Sequence, residues 1–146
     1  MKSSLYNEDT FYQRFISDLE NAKAEVIIES PYLTVKRVSR LKQIFETLIT
    51  KGVEIIILTK APSEHDKVMA EQSEVCIQYF EQVGIQVLLV QGGHHRKLAM
   101  IDRCISWEGS LNILSQIKSR ELMRRIENRS LVQELFQFLR FDQLNI

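Results

Sequence analysis

The sequence predicts an α/β sandwich: a mixed, mostly parallel sheet covered by helices on both faces. Three observations carry that expectation. Short β-branched runs at 24–29, 53–58 and 85–90 alternate with segments of helical periodicity, the pattern of parallel strands joined by crossover helices. Those runs are apolar almost throughout, as strands covered on both faces are. The length, 146 residues, suits one hydrophobic core, so a single domain over residues 1–146 is expected.

Residues 7–22 place Phe11, Phe15, Ile16 and Leu19 at helical spacing, which predicts a first amphipathic helix. The run AEVIIE at 24–29 is stopped by Ser30-Pro31, as a buried strand would be. Val38, Leu41, Ile44, Phe45 and Leu48 form a second helical stripe, closed by Lys51-Gly52. A less regular third helix is read over 65–83, ending at Gly84. After Gly92-Gly93 the pattern changes. Residues 97–102 and 104–107 are short runs split by Arg103, which predicts an antiparallel pair joined by a tight turn. Residues 121–126 predict a further strand. Asn128 or Ser130 is placed to cap a last helix bearing Leu131, Leu135, Phe138 and Leu139.

Composition narrows the function classes. Hydrophobic residues make up 45% and charged residues 26%, the balance of a globular protein. No apolar run approaches the roughly 18 residues that cross a bilayer, and the first residues lack the apolar stretch of a secretory signal. A cytoplasmic protein without a membrane partner is expected. Cys76 and Cys104 have no CxxC spacing and are read as small apolar residues; with 3 histidines they offer no zinc-ligand pattern. Neither a metal nor another cofactor is expected. Basic and acidic residues balance at 19 each, so no global field draws a polyanion. Residues 1–90 hold 10 basic and 13 acidic groups, and residues 91–146 hold 9 and 6, so the positive excess lies in the second part.

That part carries the chemistry. His95, Lys97 and Asp102 are followed after six residues by Gly109, Ser110 and Asn112. Six specified residues at fixed spacing would coincide in a chain this short on the order of once per million sequences. If a strand begins at His95, then His95 and Lys97 share one face. An imidazole and an ammonium then meet a phosphate side by side. Ser110 and Asn112, after a turn released by Gly109, add neutral donors to the same oxygens. Donors preset around a phosphodiester stabilise the charge that grows on its oxygens during attack, without a metal. A neutral His95 can be the nucleophile. His94 does not fit this pattern, because starting there puts Arg96 at the lysine position and Ile101 at the aspartate position.

This constellation resembles the signature of the phospholipase D superfamily: His, any residue, Lys, four residues, Asp, six residues, then Gly-Ser-x-Asn. The resemblance covers most of the chain, although only residues 95–121 carry specific motifs. It implies a phospholipase D-like fold and a phosphohistidine intermediate. In the family two copies of the motif face each other; one copy here implies a homodimer with a shared site. The family also uses a downstream acidic residue to hold the imidazole, a role that falls to Glu121 in Ser119-Arg120-Glu121. Asp102 matches the family aspartate, with a structural role expected, bracing nearby backbone or the lysine.

The single motif and small size look like the bacterial nuclease branch of the family. Residues 107–115 and 119–126 are similar to nuclease modules associated with helicases or restriction proteins, so a helicase or restriction-type partner is among the expectations. The leading reading is an endonuclease acting on DNA or RNA. The alternatives are a phospholipid phosphodiesterase and a catalytically silent nucleic-acid-binding module. Tyr32, in Ser30-Pro31-Tyr32 at the carboxyl end of the first strand, lies where such sheets bind ligands. Lys118, Arg120, Arg124, Arg125 and Arg129 either track a nucleic-acid backbone or form a solvated face. Lys118, Arg120 and Arg124 are the substrate-contact candidates among them. Taken alone, His65 reads as a solvated residue at a helix start and Trp107 as core.

Overall fold

The alternating apolar runs assemble into one sheet in a computed structural model that describes residues 2–116 and 119–144. In chain order the elements are β1 (Lys2–Asn7), α1 (Phe11–Glu20), β2 (Glu25–Glu29), α2 (Val35–Thr50), β3 (Glu54–Lys60), α3 (Lys67–Val83), β4 (Gln86–Val90), β5 (Leu98–Ile101), β6 (Ile105–Gly109), β7 (Leu122–Glu127) and α4 (Arg129–Phe138). Among the described residues the sheet runs β1-β7-β6-β5-β2-β3-β4. The expected helix and strand types appear, and the sheet is mixed. Strand β1 is an addition that its polar sequence concealed. Lys2, Ser3 and Asn7 are exposed, and the strand is held by antiparallel pairing with β7 at the sheet edge.

The expectation of a mostly parallel sheet is corrected. Only β2–β3 and β3–β4 pair in parallel; β2–β5, β5–β6, β6–β7 and β1–β7 are antiparallel. The reason is connection length. Helices α2 and α3 supply the two crossovers that parallel neighbours need, whereas β5 and β6 are joined by residues 102–104 alone. Strand β5 lies against β2 in the opposite direction, so the sheet changes character at the β2–β5 seam.

Alternation along the strands divides the core in two. On one face Val26, Ile28, Ile55, Ile57, Ala99 and Ile101 pack against α1, α2 and α3 through residues such as Phe15, Phe45 and Phe80. On the other, Ile27, Ile56, Leu98 and Met100 pack against Val132, Phe136 and Phe141. Among the described residues helices thus cover both faces, three against one. Trp107 is fully buried, as expected of core. Its indole N–H donates to Asp18 at 2.8 Å. Asn128 caps α4 through a bond from Leu131 N–H at 2.9 Å. No helix among the described residues is long and apolar enough to cross a membrane.

Candidate phosphate site and the cavity beside it

Strand β5 does not begin at His95. It starts at Leu98, opposite Glu29, because β2 ends there and Ser30-Pro31 leaves no partner for a longer ladder. The preceding segment is held differently. Gly92 and Gly93 adopt φ of +91° and +81°, which glycine reaches without strain, and the Glu64 carboxylate accepts from both of their N–H groups. The side chain of Glu29 is fully buried. It accepts from His94 Nε2 at 2.7 Å and from Arg96 Nε and a terminal nitrogen at 2.8 and 3.1 Å. Burial pushes the Glu29 carboxyl up, but the bonds from His94 and Arg96 outweigh it and hold the group below its ordinary value.

The interleaved residues are those of the motif. His95 is exposed and Lys97 half-buried. The Lys97 ammonium donates to the His95 carbonyl at 2.7 Å, which ties the two together through backbone. The ladder joins them to the second half of the motif. Gly109 N–H donates to the Lys97 carbonyl at 3.4 Å, one step beyond the last β5–β6 pair, and Ser110 follows directly. Gly109 does not release a turn, since its φ is not positive. It is required for space: a Cβ there would overlap the Leu122 carbonyl oxygen and Met123. Its lack of a side chain lets β7 cross close to the motif.

Glu121 holds this corner. Its carboxylate accepts from Ser110 Oγ at 2.7 Å and from Ser119 Oγ. Leu122 N–H donates back to Ser110 Oγ at 3.0 Å. Among the described residues no hydrogen bond joins Glu121 to His95; the serines occupy the carboxylate instead. Asp102 lies at the far end of β5 from His95. It accepts from the N–H groups of Lys23, Ala24 and Glu25 at 2.9, 2.8 and 2.9 Å. Asp102 and Arg103 both have φ of +54° and are the central residues of the turn closed by Cys104 N–H on the Ile101 carbonyl at 3.0 Å, within the three-residue hairpin loop. Asp102 therefore braces backbone, not Lys97.

The other candidates scatter. The Tyr32 ring sits 5.0 Å from that of His65, with the Lys60 ammonium 5.6 Å from its centroid. His65 is half-buried with Nε2 enclosed and without a partner among the described residues, so the solvated reading of it is corrected. Arg120 and Arg124 are exposed, and Arg124 donates to Ser3. Arg125 is buried against Asp18 at 2.8 Å, so the basic run does not form one face; alternation along β7 turns it inward. Lys118 lies outside the described residues. Cys76 is buried and Cys104 half-buried, both as free thiols.

Beside Ser110 and Glu121 the loop after the motif encloses a cavity of about 240 Å³. Leu114 N–H donates to Ser30 Oγ at 3.1 Å and Gln116 N–H to Thr34 Oγ at 2.9 Å, so the loop is pinned to the start of α2. Tyr12 and Arg37 form one wall, with the Arg37 guanidinium 3.6 Å from the Tyr12 ring centroid. Asn112, Gln116 and Glu121 form another. Burial lowers the pKa of Arg37 and pushes the Tyr12 phenol up to about 12. Sequence reading missed Glu29, His94, Arg96 and Arg37. The one available signal was Glu29 itself, a carboxylate ending an otherwise apolar run.

The fold and the motif together define a phospholipase D-like domain. Residues 15–142 match the family model described as cardiolipin synthase, PLD-like domain, and the chain belongs to that family. Solved structures share its fold. Nuc from Salmonella typhimurium, a phospholipase D family member, aligns over 97% of this chain and 96% of its own at 17% identity and a TM-score of 0.76. NucT from Helicobacter pylori aligns over 94% and 92% at 20% identity and 0.71. Phosphatidylserine synthase of Haemophilus influenzae Rd KW20 aligns over 97% of this chain but 38% of its own, at 16% identity and 0.68. A comparison with curated protein sequences gave no match.

Proposed function

We propose that the chain is a metal-independent phosphodiesterase that cuts nucleic acid, DNA foremost, at a site shared by two copies. The observation that supports it most is the complete motif, with an exposed His95 beside Lys97 and the hydrogen-bonded Ser110–Glu121 corner one ladder step away. The fold shared with Nuc and NucT accommodates this reading.

In this reading a ring nitrogen of neutral His95 attacks phosphorus, and the phosphorus–oxygen ester bond breaks. The His95 of a second copy gives its proton to the leaving oxygen, then takes a proton from the water that cleaves the nitrogen–phosphorus bond. Lys97 and the Asn112 amide supply donors to the phosphate oxygens. Ser110 joins them by turning its hydroxyl from Glu121 to the phosphate. Glu121, released by that turn, is free to accept from the His95 ring. Tyr32, Arg120 and Lys118 contact the strand beyond the cut. Net neutrality gives weak unaided affinity for a polyanion, so recruitment by a cytoplasmic helicase or restriction-type partner is part of the proposal.

The test is cleavage of labelled single- and double-stranded DNA and RNA in excess EDTA, beside His95→Ala. Cutting by the wild type alone supports the reading. Binding without cutting points to a silent module, and headgroup release from phospholipid vesicles to a lipid enzyme. Sedimentation of the protein tests the dimer, and cleavage by wild type mixed with His95→Ala tests the shared site. With random pairing, an equal mixture retains about a quarter of its dimers with two imidazoles.

A further inference from the structure

We propose that the cavity between α1, the start of α2 and the loop after the motif takes one nucleobase of the strand being cut, guanine in preference to the others. The proposal rests on the nuclease reading for its substrate but on separate residues for its argument. Four buried polar atoms at this place lack a partner among the described residues: Arg37 Nε, Asn112 Oδ1, Ser115 Oγ and Gln116 Oε1. Buried polar groups are almost always satisfied, and four unpaired ones around one hollow mark a place for a ligand with its own donors and acceptors. Arg37 is the strongest of them. Its guanidinium carbon lies 3.6 Å from the Tyr12 ring centroid and it makes no ion pair among the described residues, although carboxylates line the same cavity.

Charge decides the kind of ligand. One arginine shares the lining with the carboxylates of Glu8, Asp9 and Glu121. A second phosphate would meet a net negative wall and is disfavoured. A quaternary headgroup would meet the guanidinium. An uncharged ring with donors on one edge and acceptors on another suits both. Glu8 is occupied by Glu121 N–H at 2.7 Å, and Glu121 by two serines, which leaves Asp9 and the two amide oxygens as acceptors. Guanine offers O6 and N7 to an arginine fork, and N1–H with its amino group to those acceptors. Asn112 and Glu121 belong to both the cavity and the motif, so a bound base would be next to the scissile phosphate.

The test titrates the full chain with each of the four deoxynucleosides and with phosphorylcholine, followed by NMR shifts that include the Arg37 Nε–H. Deoxyguanosine is expected to bind and to move that resonance. Arg37→Met and Gln116→Leu are each expected to weaken binding about tenfold, the scale of one lost base-edge contact, while Lys36→Ala on the adjacent exposed turn leaves it unchanged. Should Arg37→Met not fold, Gln116→Leu carries the test. No nucleoside binding, binding untouched by both variants, or tighter binding of phosphorylcholine overturns the proposal. The titration needs no catalysis, so its outcome separates from that of the nuclease assay: a protein that binds deoxyguanosine here but cuts nothing would retain the pocket and lose the nuclease reading. Cleavage of an oligonucleotide with one guanine or one abasic position then measures its use, with a larger loss expected at the abasic site in the wild type than in Gln116→Leu.

Discussion

The two ends of β5 carry the same motif and are built on opposite terms. At the Asp102 end each carboxylate is used within the fold. Asp102 accepts three backbone N–H groups and Arg103 closes on Glu25 with two bonds at 3.0 Å. At the His95 end the imidazole is exposed, and the Asn112 amide oxygen of the same motif has no partner among the described residues. Two φ values of +54° in non-glycine residues persist at the first end because hydrogen bonds over-determine them. The second end leaves a ring and an amide oxygen outside the fold's own bonding, the condition for meeting a substrate. A motif residue can therefore be kept for chemistry at one end of a strand and for anchorage at the other.

Substitutions test that contrast. His95→Ala should have the largest effect on activity, a fall of about a thousandfold or more in kcat/KM, with a thermal midpoint close to wild type because the side chain is exposed. A large loss of stability in that variant would deny the open character of this end.

Glu29→Gln comes next. Breaking a buried, hydrogen-bonded ion pair costs about 3–5 kcal/mol, and the half-open Arg96 side chain places this case at the lower end. Its pH dependence has a definite sign. The Glu29 pKa is lowered by folding, so its contribution is full above the ordinary glutamate value of 4.5 and fades as pH falls through the lowered one. Urea unfolding at falling pH should show a steeper decline in wild type than in Glu29→Gln. Equal slopes would remove Glu29 from the account.

Gly109→Ala should cost about 3 kcal/mol or more, because a Cβ there meets the Leu122 carbonyl oxygen and the β7 backbone must shift, read by denaturant midpoint. A neutral result would show that the strand approach can relax. Asp102→Asn should cost about 2–3 kcal/mol, since charge-assisted bonds to backbone are weakened and one oxygen becomes a donor. Activity per folded molecule should be altered far less than by His95→Ala. Comparable loss of turnover would mean that the turn end does take part in chemistry.

Legibility in the sequence followed periodicity. The helical stripes around Phe11–Phe15 and Leu41–Phe45, and the apolar runs of β2, β3 and β4, were readable because burial on a fixed period leaves a mark in one dimension. So was the motif, whose spacing is a strand and its hairpin written out. Strand β1 was not, because a polar edge strand is held by pairing with a segment more than 110 residues away. Arg125 read as surface charge because alternation across β7 is invisible without its neighbours. His94 fell outside the motif for the sound reason that the spacing excludes it, yet it steadies that segment by contact with Glu29, 65 residues distant.

The sequence by itself determined which groups are available for phosphate chemistry and that an α/β sheet carries them, because both follow from local order: residue type, spacing and period. Only the tertiary structure decided that Glu29 clamps the segment beside His95, that Gly109 is needed for room and not for a turn, and that Arg37 and Gln116 enclose a hollow beside Asn112. Those facts depend on distances between segments far apart in the chain, which are set by how the sheet pairs and the helices pack.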